Sequence, residues 1–200
     1  MTAPGNPPDW PAIARDLIAR ADATRRTWQT PAHRLAAAAS AEAFAAASQT
    51  DADNAQALGT IVAQGGWPGR SRAGEDGCRA ALVIALHADH DRSLQSRLLD
   101  ALHQAATRNE ATPAQWAHLQ DRLLVNSGKP QLYGTQYLYR PNESGGRLEL
   151  LPVAEPDALD RRRAQVGLPA HAEQAQLLRR HHLASLSTTP VVRLVERPAA

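Results

Sequence analysis

Residues 128–139 read G-K-P-Q-L-Y-G-T-Q-Y-L-Y, and the fold turns on how that stretch is taken. All three tyrosines of the chain, Tyr133, Tyr137 and Tyr139, fall inside it. Gly128 ends a helical pattern and Pro130 cannot continue one. Leu132 to Tyr139 and Arg147 to Val153 are then short, aromatic or aliphatic, and separated by P-N-E-S-G-G, which predicts a β-hairpin. A hairpin strand alternates inward and outward residues, yet Gln131 and Gln136 flank a Tyr-Gly-Thr turn here. Those amides, with Tyr133 and Thr135, are costly to bury without partners. A bound polar ligand would satisfy them, and so would a hydrogen-bonded clasp from the hairpin to the helices.

Upstream, the pattern is helical throughout. Thr112-Pro113-Ala114-Gln115 matches a capping box with Pro at the first helical position, opening a helix that carries Trp116, Leu119, Leu123 and Leu124. Leu94, Leu98, Ala101, Leu102 and Ala105 give the preceding helix, capped by Asp89 or Asp91. Gly74 to Ala88 contains A-A-L-V-I-A-L, apolar almost all round, as suits a central buried helix. G-G-W-P-G-R-S at 65–71 is a turn, in which Trp67 either plugs the gap between two helices or walls a pocket. Ala57, Leu58, Ile61 and Val62 predict a helix capped by Asp51 or Asp53 and stopped at Gly65. Pro31 to Ser48 is alanine-dominated and reads as a weakly anchored helix. A first helix, capped by Asp9, carries Ile13, Leu17, Ala21, Thr24 and Trp28 and runs to about Gln29. Residues 1–8 predict a disordered lead-in.

Downstream, Pro156 opens a short helix through D-A-L-D-R-R-R to Val166, and a last helix runs from about Ala170 to Leu183. Residues 185–200 read as an extended tail. The expected architecture is therefore mainly α: a single multi-helix domain over 9–184 with one small antiparallel β-hairpin near residues 132–153.

Two hundred residues can bury a proper core. Arginine outnumbers lysine 21 to 1, but the net charge is only +2 and basic residues alternate with acids. Phosphate binding needs a concentrated positive face, so no nucleic-acid partner is expected. With Cys78 alone there is no intramolecular disulfide and no cysteine-based metal site. No apolar run approaches the ~20 residues of a membrane span, and the N-terminus lacks the form of a signal peptide. A cytoplasmic protein without a membrane partner is expected.

His87 follows Val83 and Ile84 on the inner face of the most apolar helix, as a core histidine or as a buried acid, base or ligand. Asp91 and His90 lie about one turn away, at spacings a divalent ion could use, but no second cluster completes such a site. His103 and His118 read as surface residues. Asp121 and Arg122 lie about 100° apart on the borders of an apolar stripe, either as solvent ion pairs or at the rim of a cleft. Among Arg161, Arg162 and Arg163, at most one or two can point into a site. Arg179, Arg180, His181 and His182 read as a solvated helix end.

The order G-W-P-G-R-S at 66–71, H-A-D at 87–89, Gln95, D-R at 121–122, Q-L-Y-G-T-Q at 131–136, and D-R-R-R ahead of V-G-L at 160–168 resembles an uncharacterised bacterial domain-of-unknown-function family, numbered 6624. The resemblance covers roughly residues 53–170 and brings no established activity. The family usually has Gln ahead of H-A-D, where Leu86 stands here. It implies that His87, Asp89, Gln95, Asp121, Arg122, Gln131, Tyr133, Gln136, Asp160 and Arg162 match shared polar positions. The reading that follows is an enzyme or small-molecule-binding protein with a polar cleft, suited to hydrolysis or proton transfer on a polar amide or carboxylate compound. His87, Asp89 and Asp121 are the expected catalytic groups, with His87 oriented by one of the two aspartates. Trp67, Gln95, Arg122, Gln131, Tyr133, Gln136 and Arg162 are the expected binding groups, Arg122 or Arg162 taking an anionic group of the substrate. The expected partner is a small polar molecule, with no cofactor and no metal. The competing reading is a non-catalytic helical interaction module whose polar motifs are structural.

Overall fold

A computed structural model of the chain describes residues 8–28, 40–140 and 147–184. Helix α1 (Trp10–Trp28) starts where Asp9 accepts from the Ala12 amide at 3.1 Å, and Leu17, Ala21 and Thr24 form its buried stripe. Helix α2 (Ala41–Gly65) is capped by Ser40, whose hydroxyl accepts from Ala43 N at 3.0 Å. It runs for 25 residues without a break. The expected new start at Asp51 or Asp53 is therefore absent, and Asp51 is buried inside the helix. No Gly or Pro interrupts residues 41–58, so nothing there stops an alanine-rich helix from propagating. Of the segment Pro31 to Ser48, residues 31–39 lie outside the described residues, as do 185–200 and the lead-in up to residue 7.

Helix α3 (Arg70–Leu86) carries a kink at Gly74, with φ 70° and ψ 172°, a backbone conformation glycine adopts readily. Its first turn docks on the turn between the next two helices. Ser71 donates to Glu110 through its amide at 2.9 Å and its hydroxyl at 2.8 Å, and the Arg70 amide donates to the Glu110 carbonyl at 2.9 Å. A Cβ on Gly69 would stand 2.6 Å from the Glu110 Cβ, so this approach requires glycine. Trp67 is 4% exposed and packs into the core. Trp67 Nε1 is buried with no hydrogen-bond partner among the described residues.

Helix α4 (Arg92–Thr107) is capped by Asp91, which accepts from Leu94 N at 2.8 Å. Helix α5 (Pro113–Asn126) opens with the expected reciprocal box between Thr112 and Gln115. The main core is shared by all five helices through Leu17, Leu58, Ile84, Leu98, Leu102 and Leu119. Small residues let the helices close on each other: a Cβ on Gly77 would be 3.1 Å from the Ala14 Cβ, and one on Gly59 would be 2.7 Å from Leu94 Cδ1.

Strands β1 (Tyr137–Arg140) and β2 (Arg147–Leu150) pair antiparallel, Tyr137 opposite Leu150 and Tyr139 opposite Leu148. The pair is shorter than expected because residues 132–136 form a loop. A single bridge joins Gln131 to Val153. A 3-10 turn (Pro156–Ala158), helix α6 (Leu159–Gln165) and helix α7 (His171–Ala184) follow. A second, smaller apolar cluster joins Val125 to Leu151 and Leu138. Among the described residues no helix is long and apolar enough to cross a membrane.

Candidate functional site

Asp121 comes from the core face of α5 and is completely buried. Its carboxylate accepts from the amides of Leu132 at 2.7 Å, Tyr133 at 3.0 Å and Thr135 at 3.0 Å, and from the Thr135 hydroxyl at 3.0 Å. Burial pushes its carboxyl upward, while these donors pull it down. The opposite side of the loop is held by two arginines of α6. Arg162 Nε donates to Leu132 O at 2.8 Å and Nη2 to Ala154 O. Arg163, 1% exposed, donates to Tyr133 O at 2.6 Å and to Pro169 O at 2.7 Å. Burial lowers the Arg163 guanidinium from its ordinary value. Gln131, fully buried, donates to Gln136 O at 3.0 Å and Leu151 O at 2.8 Å and accepts from Gln136 N at 2.8 Å. The amide of Gln136 reaches the Thr135 hydroxyl at 2.9 Å. Here the polar motif is a clasp. Tyr133 is half-buried with its ring edge-on to Trp116 at 5.9 Å, and burial raises its phenol.

The H-A-D turn at the end of α3 holds the second group. Asp89 accepts from Arg122 Nε at 2.9 Å and from Arg122 Nη2, which makes the pair bidentate. Asn126 Nδ2 donates to Asp89 Oδ1 at 2.7 Å and to Gln95 Oε1 at 3.0 Å, and Gln95 Nε2 donates to Ala85 O at 3.0 Å. Arg122 is 3% exposed, whereas the Asp89 side chain is 36% exposed. Burial alone would raise the Asp89 carboxyl, but the Arg122 guanidinium, with Asn126 and the nearby His87, holds it below the usual carboxylate range. Arg122 is therefore engaged by Asp89 through Nε and Nη2, its Nη1 being buried with no hydrogen-bond partner among the described residues, and Arg162 is engaged by carbonyls.

His87 is the C-cap of α3, at φ −99° and ψ 6°. The carboxylate nearest its ring is neither that of Asp89 nor that of Asp121. Nδ1 stands 3.4 Å from Asp51 Oδ2, on α2. Asp51 also accepts from Trp28 Nε1 at 2.8 Å and from the Thr24 hydroxyl at 3.1 Å, and Asn54 donates to that hydroxyl at 3.2 Å. The Trp28 ring stacks beside the imidazole, centroids 6.4 Å apart and planes at 22°. The His87 side chain is 15% exposed, and its Nε2 makes no hydrogen bond among the described residues. Asp51, expected as a helix cap, lies instead within α2 beside His87. The available signal is its spacing: on a continuous helix Asp51, Ala55 and Leu58 share one buried face.

Two other features lie apart from these groups. His118, expected at the surface, is half-buried on α5, and burial together with Arg163 pushes its imidazole down to about 4. A groove of about 520 Å³ runs between β2 and the start of α7, lined by Leu151, Val153, Pro156, Leu159, Asp160 and His171. Asp160 there accepts from the His171 amide at 2.7 Å. Tyr137 and His171 stack and join through the hydroxyl and Nε2 at 2.9 Å. Among the described residues no group of three or more His, Cys, Asp or Glu could hold a metal ion, and Asp91 is taken up by its cap.

The sequence model of the DUF6624 family, described as a family of unknown function, matches residues 11–184, and the chain belongs to that family. No curated protein and no solved structure gives a match.

Proposed function

We propose that this DUF6624 chain acts on a small polar molecule by proton transfer at His87, oriented by Asp51. The observation that carries this reading is the geometry of the pair: Nδ1 faces a fixed carboxylate while Nε2 has no partner among the described residues. A proton on Nδ1 directed at Asp51 leaves the Nε2 lone pair as a base, and the carboxylate stabilises the imidazolium once it forms. Trp28 and Thr24 hold Asp51 in place. Arg122, Asn126 and Gln95 hold Asp89, which fixes the turn that presents His87. The reaction class is hydrolysis or proton transfer on a polar amide or carboxylate compound, in a cytoplasmic setting without nucleic acid. Asp121 has a positioning role through the loop rather than a place beside His87.

The test is turnover in a bacterial polar-metabolite extract followed by mass spectrometry, with wild type against His87→Gln. A compound depleted by wild type should persist with the variant, the loss being about 10²–10⁴-fold as for other positioned acid–base groups. A folded His87→Gln protein that depletes the same compound at the wild-type rate sinks the proposal.

A second reading, a non-catalytic interaction module, draws on a different observation: Asp121, Gln131 and Arg162 are bonded to backbone. It expects wild type to deplete nothing, and these residues to govern melting temperature alone.

A further inference from the structure

Resting on the proton-transfer reading above, we infer that the ligand at His87 is a small molecule bearing an alkylammonium group. The partly exposed groups at the site, His87 and Asp89, have acceptor positions to spare, while the unpaired donor there, Arg122 Nη1, is buried. With Nδ1–H directed at Asp51, the Nε2 of His87 offers a lone pair. Asp89 Oδ2 accepts only from Arg122 Nη2 on a carboxylate that is 36% exposed, so an acceptor position remains there. A ligand that complements two acceptors must bring donors, and an alkylammonium brings three.

The charges agree. Arg122 offsets Asp89, while Asp51 faces His87 at 3.4 Å, which leaves one negative charge on that pair when His87 is neutral. Arg20, bonded to Asn54 behind Asp51, is itself offset by Asp16 at 2.7 Å. Two helices direct their C-terminal ends at the turn: α3 ends at Leu86 with His87 as its cap, and α5 ends at Asn126, whose side chain touches Asp89. Those ends carry partial negative charge and favour a cation. The one opposing helix end, the N-terminus of α4, is capped by Asp91, and Arg92 lies 3.4 Å from the Asn126 carbonyl. An anionic substrate finds Arg162 committed to backbone carbonyls and the unpaired Nη1 of Arg122 buried.

The experiment is an NMR titration of the full-length ¹⁵N-labelled protein with n-butylammonium and, separately, butyrate at matched ionic strength. Butylammonium should shift the His87 imidazole and Trp28 indole signals saturably, at least about tenfold more tightly than butyrate, and about tenfold more weakly in Asp89→Asn. Equal or tighter binding of butyrate, or no saturable shift with butylammonium, overturns the inference. So does unchanged ammonium binding in a folded Asp89→Asn protein; if that variant does not fold, the wild-type ratio decides. Butyrate binding that is lost in His87→Gln would reject the charge assignment and leave the proton-transfer site standing. Metabolite turnover untouched by His87→Gln would instead remove the site itself.

Discussion

His87 and His118 have opposite surroundings. The first faces an aspartate; the second is half-buried on α5, where burial and Arg163 hold its ring near 4. In the unfolded chain His118 titrates near 6.5. Between those values the unfolded state takes up a proton that the folded state refuses, so the His118 contribution to stability is complete above 6.5 and is lost as pH falls toward 4. The urea midpoint should therefore decline between pH 6.5 and 4 in wild type, and decline less in His118→Gln. An equal decline in both would show that His118 is not the group responsible. None of this was legible in the sequence. Gln136 of the loop, which donates to the His118 carbonyl, and the Arg163 guanidinium of α6 are distant along the chain, and the neighbours of His118 on α5 give no sign of them.

At the scale of elements, caps and turns are set by local sequence, whereas the loop at 132–136 is set by partners distant along the chain. The Thr112–Gln115 box is complete within four residues and was visible as such. The hairpin was placed correctly but drawn too long, because the amides of Leu132, Tyr133 and Thr135 go to Asp121 instead of to a neighbouring strand. Polarity at Gln131 and Gln136 announced a need for partners; it left open whether a ligand or the fold supplied them. Asp121→Asn tests the strength of this junction. The new amide would direct two N–H groups at backbone N–H donors, leaving at least one buried donor unpaired, at a cost of about 2–4 kcal/mol. The melting temperature should fall by roughly 4–16 °C for a chain of this size. A shift under about 2 °C would mean that the loop finds other partners.

For the molecule as a whole, helical spacing, caps and the Gly–Pro turns made the mainly α architecture readable, since each of these is a property of adjacent residues. The proposed site is a different kind of object. Thr24, Trp28, Asp51 and His87 come from three helices, and their meeting depends on α1 and α2 both packing against α3. In the sequence, only Asp51 on the core face of α2 hints at it. The clasp, by contrast, ties the large helical core to the smaller cluster around Leu151 and Leu138. The loop it grips has no ladder and no helix, yet its amides end on a carboxylate with no exposure, rooted in α5. In deuterium oxide the amides of Leu132, Tyr133 and Thr135 should accordingly exchange as slowly as those of the helix interior, waiting for α5 itself to open. A segment that looks like a surface turn would keep the time of the core.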